Sequence, residues 1–462
     1  MARRWKVLIV VSVAVFMASL DLFIVNIAFP DIRADFSSAS VGGLSWVLNA
    51  YTIVFAALLV PAGRLADRFG RRRAFLTGLG VFLAGSALCG LAPSLPALVG
   101  ARVVQAAGAA VLMPASLGLL LPEFPADERA AAIGVWAAVG GVAAAAGPPL
   151  GGVLVEASWR LVFLVNLPVG AIAAVYGARL LIETRDASER RWPDLVGTAV
   201  LIAGVGALTL ALVKAPAWHW ADPRTLGALT FSAAALAVFW GRCVRHPAPV
   251  VDPAMLRVRS FAMANTAQLL FAASFAAMLL GNVLFLTTAW HESVLRAGLE
   301  LAPGPTMAAI SAVISGRLAA RAGQHLLAGT GCALFAAGIG WWLWRAGPTP
   351  NYAADALPGL LITGIGVGLT LPSLASAAAA SLPPARFATG SAVLNMSRQL
   401  GSALGVAVLV AVLGTPTALS SFQAGWRFMV VPALLASVAA FGIGSVKALR
   451  PPALVPAEAQ AA

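Results

Sequence analysis

Fourteen apolar stretches follow one another along this 462-residue chain with only short polar breaks between them. Each is close to the ~20 residues an α-helix needs to cross a bilayer. The first seven lie near 7–29, 44–63, 74–92, 97–121, 130–154, 161–181 and 195–213. The others lie near 224–241, 260–284, 302–319, 326–344, 356–380, 388–413 and 426–448. Backbone polar groups find no water in hydrocarbon, so each stretch must satisfy itself as a helix, which an open sheet does not do. Hydrophobic residues make up 60% of the chain and charged ones 11%, against roughly 25% charged in soluble domains. The expected fold class is an all-α membrane protein with fourteen spans.

A net charge of +13 would suggest nucleic acid in a soluble chain. Here the positive residues sit in short loops, where they set topology, and no nucleic-acid partner is expected. With the N-terminus inside, 22 of the 31 Lys and Arg fall in cytoplasmic segments and seven at the outer side. That bias places both termini in the cytoplasm. Eight tryptophans (Trp46, Trp159, Trp218, Trp220, Trp290, Trp341, Trp344 and Trp426) fall at outer span ends, as an aromatic belt predicts. The chain past Arg450 is Pro/Ala-rich and reads as a disordered cytoplasmic tail.

An internal repeat organises the spans. The nine residues from Gly63 to Arg71 match those from Gly316 to Gln324 at six positions, 253 residues apart. Gly147 and Gly151 recur as Gly401 and Gly405 at nearly the same offset. Each charged hinge follows the second span of a six-span block if residues 1–185 and 260–448 are the two blocks. Residues 186–259 are then a linker with two inserted spans, and 449–462 the tail. Parallel six-span halves holding substrate between them near the midplane are the major facilitator arrangement.

Particular motifs carry a resemblance. The segment Phe16 to Pro30, with Asp21 and Asn26 inside it, closely resembles the first-span signature of the fourteen-span drug:proton antiporters, a major facilitator family. Gly63 to Arg73 is similar to the superfamily's loop motif, Arg102 to Gly108 to its fourth-span motif, and Gly147 to Gly152 to the fifth-span antiporter motif. Ala106 and Ala143 stand where those patterns usually have Gly. Trp159 to Gly170 and Ala297 to Pro303 also resemble this family. The resemblance implies a multi-pass exporter of the bacterial inner membrane, driven by the proton gradient, with no cofactor expected. It implies partners limited to a small-molecule substrate, protons and the bilayer, and a monomer.

Three charged residues lie well inside spans: Asp21, Arg102 and Arg398. Intramembrane charge is costly, so each needs a partner or a function. At 1.5 Å per residue, Asp21 lies about 9 Å below the outer face of a ~30 Å core and Arg102 about 8 Å below it. They meet at one depth if the first and fourth spans pack together. Asp21 is expected to exchange a proton, reachable from a crevice in turn from either side, with Arg102 modulating that exchange. The alternative is a static brace between two helices. Arg398, near the midplane, has no obvious acidic partner and would bind an anionic substrate group or cap helix carbonyls. Asn26, Asn49, Gln105, Asn265, Gln268, Asn282, Asn395 and Gln399 join it as candidate cavity liners, or else as interhelical hydrogen bonds.

In the hinge, Gly63 and Gly70 permit close approach and a tight turn. Asp67 is placed to cap a helix N-terminus or pair with an Arg, with Arg68 and Arg71 the nearest candidates. Such a clasp would break on inward opening. Ala320 replaces the Asp in the second copy. Gly147, Gly151 and Gly152 form a small-residue stripe, and Pro148 with Pro149 bends the helix. A rigid contact there would seal the cavity against leak.

Three readings compete. The first is proton-coupled export of small amphipathic compounds such as drugs or antibiotics by alternating access. The second keeps the fold but imports a nutrient as a symporter or facilitator. A membrane enzyme needs clustered acids, histidines or a nucleophile facing a cavity, and the spans offer one acid and no His.

Overall fold

In the computed structural model the chain is described over residues 3–37, 39–125, 128–185, 192–382, 387–414 and 419–444. The expected tail, 449–462, lies outside these residues, as does most of the junction after residue 185. The described chain is helical nearly throughout. The first half contains α1 (Arg3–Asp35), α2 (Val41–Phe69), α3 (Arg71–Gly90), α4 (Leu95–Leu120) and α5 (Arg129–Ala157). Its sixth segment is broken into α6 (Leu161–Leu164) and α7 (Asn166–Leu180). The pair α8 (Leu195–Trp218) and α9 (Pro223–Arg245) follows, then the short α10 (Pro253–Leu256). The second half holds α11 (Arg259–Leu284), α12 (Val294–Leu301), α13 (Pro303–Ala322) and α14 (Gln324–Arg345). It closes with α15 (Leu357–Ala380), α16 (Phe387–Leu413) and α17 (Leu419–Phe441).

The breaks have local causes. Pro168 and Pro303 lack an N–H and cannot complete the preceding helical ladder, so the chain kinks just before each. Gly70 at φ 118° and Gly323 at φ 83° separate α2 from α3 and α13 from α14. Among the described residues, thirteen helical segments are long and apolar enough to cross a membrane. The other expected position is α5, whose described apolar stretch, Val142–Ala157, is shorter.

The halves repeat each other in packing. In the first, α3 lies on α4, α2 on α4 and α1 on α5; in the second, α14 lies on α15, α13 on α15 and α11 on α16. Between the halves, α2 packs on α16 and α5 on α12 and α13, while α8 lies against both α2 and α16.

The apolar core falls into three clusters, two of which take in residues of both halves. Away from the chain termini, one cluster runs from Ile24, Val41 and Leu98 in the first half to Phe285, Trp342 and Trp426 in the second. Toward the termini, Val7, Phe75, Leu112 and Phe124 form a cluster of the first half. Phe261, Leu374, Val393 and Ile443 anchor another in the second, which also takes in Ile53, Ala56 and Val60 of α2. Not all outer tryptophans lie in a belt. Trp220 and Trp344 are exposed, but Trp159, Trp290 and Trp426 are buried. Trp426 packs edge-on to Phe285 and Trp342, where stacking area outweighs an interfacial berth.

Candidate functional site: a buried ion pair and an unpaired arginine

Asp21 and Arg102 meet. The Arg102 guanidinium donates to Asp21 Oδ2, and both side chains are sealed from solvent. Gln105, one turn along α4, donates from Nε2 to Asp21 Oδ1 at 2.8 Å and accepts from Arg102 Nη1 at 2.7 Å. Its amide also reaches Ser86 Oγ of α3 at 2.7 Å, which accepts in turn from Asn166 of α7 at 3.2 Å. Arg102 Nε donates to the Val47 carbonyl at 2.9 Å, and its guanidinium carbon lies 4.1 Å from the centre of the Tyr51 ring. Five helices therefore contribute, all in the first half. Arg102 and Gln105, at i and i+3, share one face of α4, which lets both reach the same carboxylate.

This placement bears on how a proton arrives. Asp21 has no accessible surface, and it sits within the first bundle rather than on a crevice between halves. In this conformation both carboxylate oxygens are occupied. Exchange of a proton requires α1 and α4 to shift.

The other polar candidates fall into two groups. Asn26 donates to the Leu22 carbonyl of its own helix, and Asn49 to Ser45 at 3.4 Å. Asn265 donates to the Phe261 carbonyl and accepts from Ser397 at 3.0 Å, tying α11 to α16. Asn282 is buried. Gln268 and Gln399 are buried with their amide nitrogens unpartnered, and so is Nε of Arg398. Asn395 and Arg398 are half-buried rather than sealed.

In the hinge, Asp67 pairs with Arg71 at 2.7 Å, and Arg71 reaches the Gly118 carbonyl at the end of α4 at 3.1 Å. Arg68 stacks over Trp192, just ahead of α8, at 4.4 Å. The N-terminus of α3 is capped from outside the motif: Glu183 accepts from the Arg72 and Arg73 amides at 3.1 and 3.3 Å. A Cβ on Gly70 would sit 2.5 Å from that carboxyl group, and its φ already disfavours one. A Cβ on Gly63 would lie 3.3 Å from Pro114 of α4. Sequence reasoning missed Glu183, because it lies over 100 residues away in a loop with nothing to mark it. It missed Ser86 and Tyr51 because a lone hydroxyl in an apolar helix is ordinary. The backbone of the second hinge is helical on both sides of Gly323, but the Arg317, Ala320 and Arg321 side chains lie outside the described residues.

The stripe on α5 touches two partners. Gly147 and Gly151 face α1, where a Cβ would come within 2.7 Å of Phe23 and 3.0 Å of Ile24. Gly152 lies against Leu295, and the Pro148 carbonyl approaches Gly298 so closely that a Cβ there would be 2.5 Å away. Here the first of the core clusters takes in both halves.

Comparison with known proteins gives the family. The profile of the Major Facilitator Superfamily matches residues 11–406. The multidrug resistance protein Stp of Mycobacterium tuberculosis is 35% identical over 409 residues, covering 88% of this chain and 75% of that protein. The tetracenomycin C resistance and export protein of Streptomyces glaucescens is 35% identical over 88% of this chain and 75% of its own length. The methylenomycin A resistance protein of Bacillus subtilis is 33% identical, covering 87% and 86%. Among solved structures, a POT family transporter in complex with a thioalcohol-conjugated peptide superposes with TM-score 0.69 over 94% of both chains. Its identity is 16%, so it speaks to the fold alone. This chain is a multi-pass membrane protein of the major facilitator superfamily.

Proposed function

We propose that the protein exports small amphipathic compounds, of the drug or antibiotic kind, by alternating access in exchange for protons. The observation that carries this is the likeness, across nearly the whole chain, to relatives named for resistance and export. The two-bundle architecture supports the mechanism: halves that repeat one another and meet across α2 with α16 and α5 with α12 and α13 are the parts that alternating access rocks against each other. The bilayer is the inner membrane, with fourteen spans counting α5, both termini in the cytoplasm and the protein acting as a monomer. The end where α5 packs on α12 then faces outward.

Proton coupling is assigned to Asp21. Protonation would cancel the carboxylate, release Arg102 and loosen α1 from α4, linking the proton to a change in helix packing. Gln105, bound to both, keeps the pair in register. The hinge salt bridge of Asp67 with Arg71 serves as a brace at the inner ends of α2, α3 and α4. The Gly147 to Gly152 stripe serves as the outer seal against α12.

The test is export from inside-out vesicles carrying the protein, with an imposed proton gradient and substrate-evoked proton movement read by a pH dye. Asp21→Asn is expected to abolish gradient-driven export per molecule of folded protein while leaving substrate binding intact. Unchanged export by that variant would remove Asp21 from the coupling step. Accumulation in the opposite direction would favour import.

A further inference from the structure

The two buried charges of the first half cancel; the one in the second half does not. The guanidinium of Arg398 makes no hydrogen bond or ion pair to any described residue, and its Nε is buried without a partner. The acids of the second half are engaged elsewhere: Glu292 and Glu300 with Arg296, and Asp355 with Arg345. Among the described residues, the interior thus carries one uncompensated positive charge.

Its surroundings are polar in a patterned way. Ser391, Asn395, Arg398 and Ser402 recur at helical spacing along one face of α16. Ser391 is exposed and the other three are half-buried, unlike the buried Val393, Ser397, Ala403 and Val406 on other faces. A stripe of hydroxyl, amide and guanidinium at bilayer depth cannot face lipid without severe cost, so it faces the bundle interior or a water-filled cavity. Flanking it, the Gln268 and Gln399 amide nitrogens are buried and unpartnered. The Ser397–Asn265 bond holds these parts of α16 and α11 together. The buried polar atoms left without a partner here, on Arg398, Gln268 and Gln399, are all nitrogen donors. A buried donor without an acceptor is costly unless a ligand supplies one.

We propose that Arg398 is the charge-recognition residue of the export site, and that the transported compounds are amphiphiles carrying a single anionic group, held by Arg398 with donors from Gln268 and Gln399. A guanidinium offers a carboxylate or sulfonate paired, charge-assisted hydrogen bonds, whereas it repels a cation. The inference rests on the export reading and narrows it to a substrate class.

The experiment compares three probes on one ring system with purified protein in detergent: 2-naphthoate, 2-naphthamide and 2-naphthylmethylammonium. Specific binding of each radiolabelled probe is taken as that displaced by excess unlabelled probe. Naphthoate is expected to bind about tenfold or more tightly than the ammonium probe. Arg398→Gln should lose most naphthoate binding yet change naphthamide binding less than about twofold, and Arg398→Lys should retain part of the preference for the anion. Equal binding of all three probes, a preference for the cation, no specific naphthoate binding, or an equal loss of all probes in Arg398→Gln would overturn the proposal. Export of a cationic dye by the same protein in vesicles would overturn it while leaving the export reading standing; absence of export of any compound would instead remove the reading on which it rests.

Discussion

The two halves share one frame and fill it differently. Gly78 and Gly331, 253 residues apart, each let a backbone approach: Gly78 to Gly108 and Leu112, Gly331 to Gly366 and Thr370. Gly85 packs on Gln105, and its counterpart Gly338 packs on Thr363. The polar centre of the first half therefore has an apolar equivalent. Thr363 takes the place of Gln105, Leu360 that of Arg102, and Ile339 that of Ser86, all of them buried. Thr363 satisfies its hydroxyl on the Leu360 carbonyl of its own helix. The second half shows that this frame packs without an ion pair. The pair in the first half is an addition with a desolvation cost.

The sharpest way to break that comparison is to unbalance the pair. Arg102→Ala would leave the Asp21 carboxylate buried without its counter-charge, a loss of about 3–5 kcal/mol. Folded protein recovered in detergent should fall steeply. Asp21→Asn combined with Arg102→Leu, which imports the apolar solution of the second half, should restore folding but not gradient-driven export. Recovery of export by the double variant would mean that the pair is only a brace.

A second test exploits a difference in how closely helices approach. On α16, a Cβ at Gly405 would lie 2.0 Å from the Ala273 carbonyl oxygen; on α5, one at Gly147 would meet the Phe23 Cβ at 2.7 Å. Both neighbours are fixed by backbone, and the shift needed at Gly405 is the larger. Gly405→Ala should therefore lower thermal stability by about 1–3 kcal/mol, and Gly147→Ala by less. A third, somewhat smaller effect lies at the hinges. Both glycines have positive φ, so alanine strains each by about 1–2 kcal/mol. At Gly70 it also displaces the Glu183 carboxylate, whereas at Gly323 it meets only His325 at 3.2 Å. Gly70→Ala should be the more damaging of the two in unfolding midpoint.

The smallest effect belongs to neither half but to the inserted pair. Asp194 caps α8 through the Gly197 amide at 2.8 Å and bridges to Arg242 of α9 at 2.6 Å. Burial alone would raise its pKa, but the bonds from Arg242 and Gly197 outweigh that and bring it below the model-compound value of 3.8. Because the folded value is lowered, its contribution is fully present above the ordinary carboxylate range and is lost as pH falls through the folded value. Arg242 is partly exposed, so solvent screening limits the contribution to less than about 1 kcal/mol. Asp194→Asn should remove that portion of the decline when unfolding is followed from about pH 5 downward.

Much of this was legible before any coordinates. Runs of some 20 apolar residues allow only helices, and 1.5 Å per residue placed Asp21 and Arg102 at one depth on spans that do pack together. The Gly63 and Gly316 repeats marked the hinges, down to the turn glycines Gly70 and Gly323. Less legible was what surrounds the pair. Ser86, Tyr51, Asn166 and the Val47 carbonyl come from helices whose rotation about their axes no hydropathy pattern fixes, since lipid and neighbouring helices are equally apolar. For the same reason, the sequence could name Gln105 and Arg398 as candidate liners together but could not distinguish the residue consumed by Asp21 from the one left unpaired.

Composition, charge bias and periodicity alone determined that the chain crosses a bilayer many times, in two related halves. These follow from lengths and from the cost of bare backbone in lipid, which are one-dimensional constraints. The tertiary structure decided which polar atoms find one another and which do not. That depends on helix rotation and on approaches of a few ångströms, set by small residues distant in the chain.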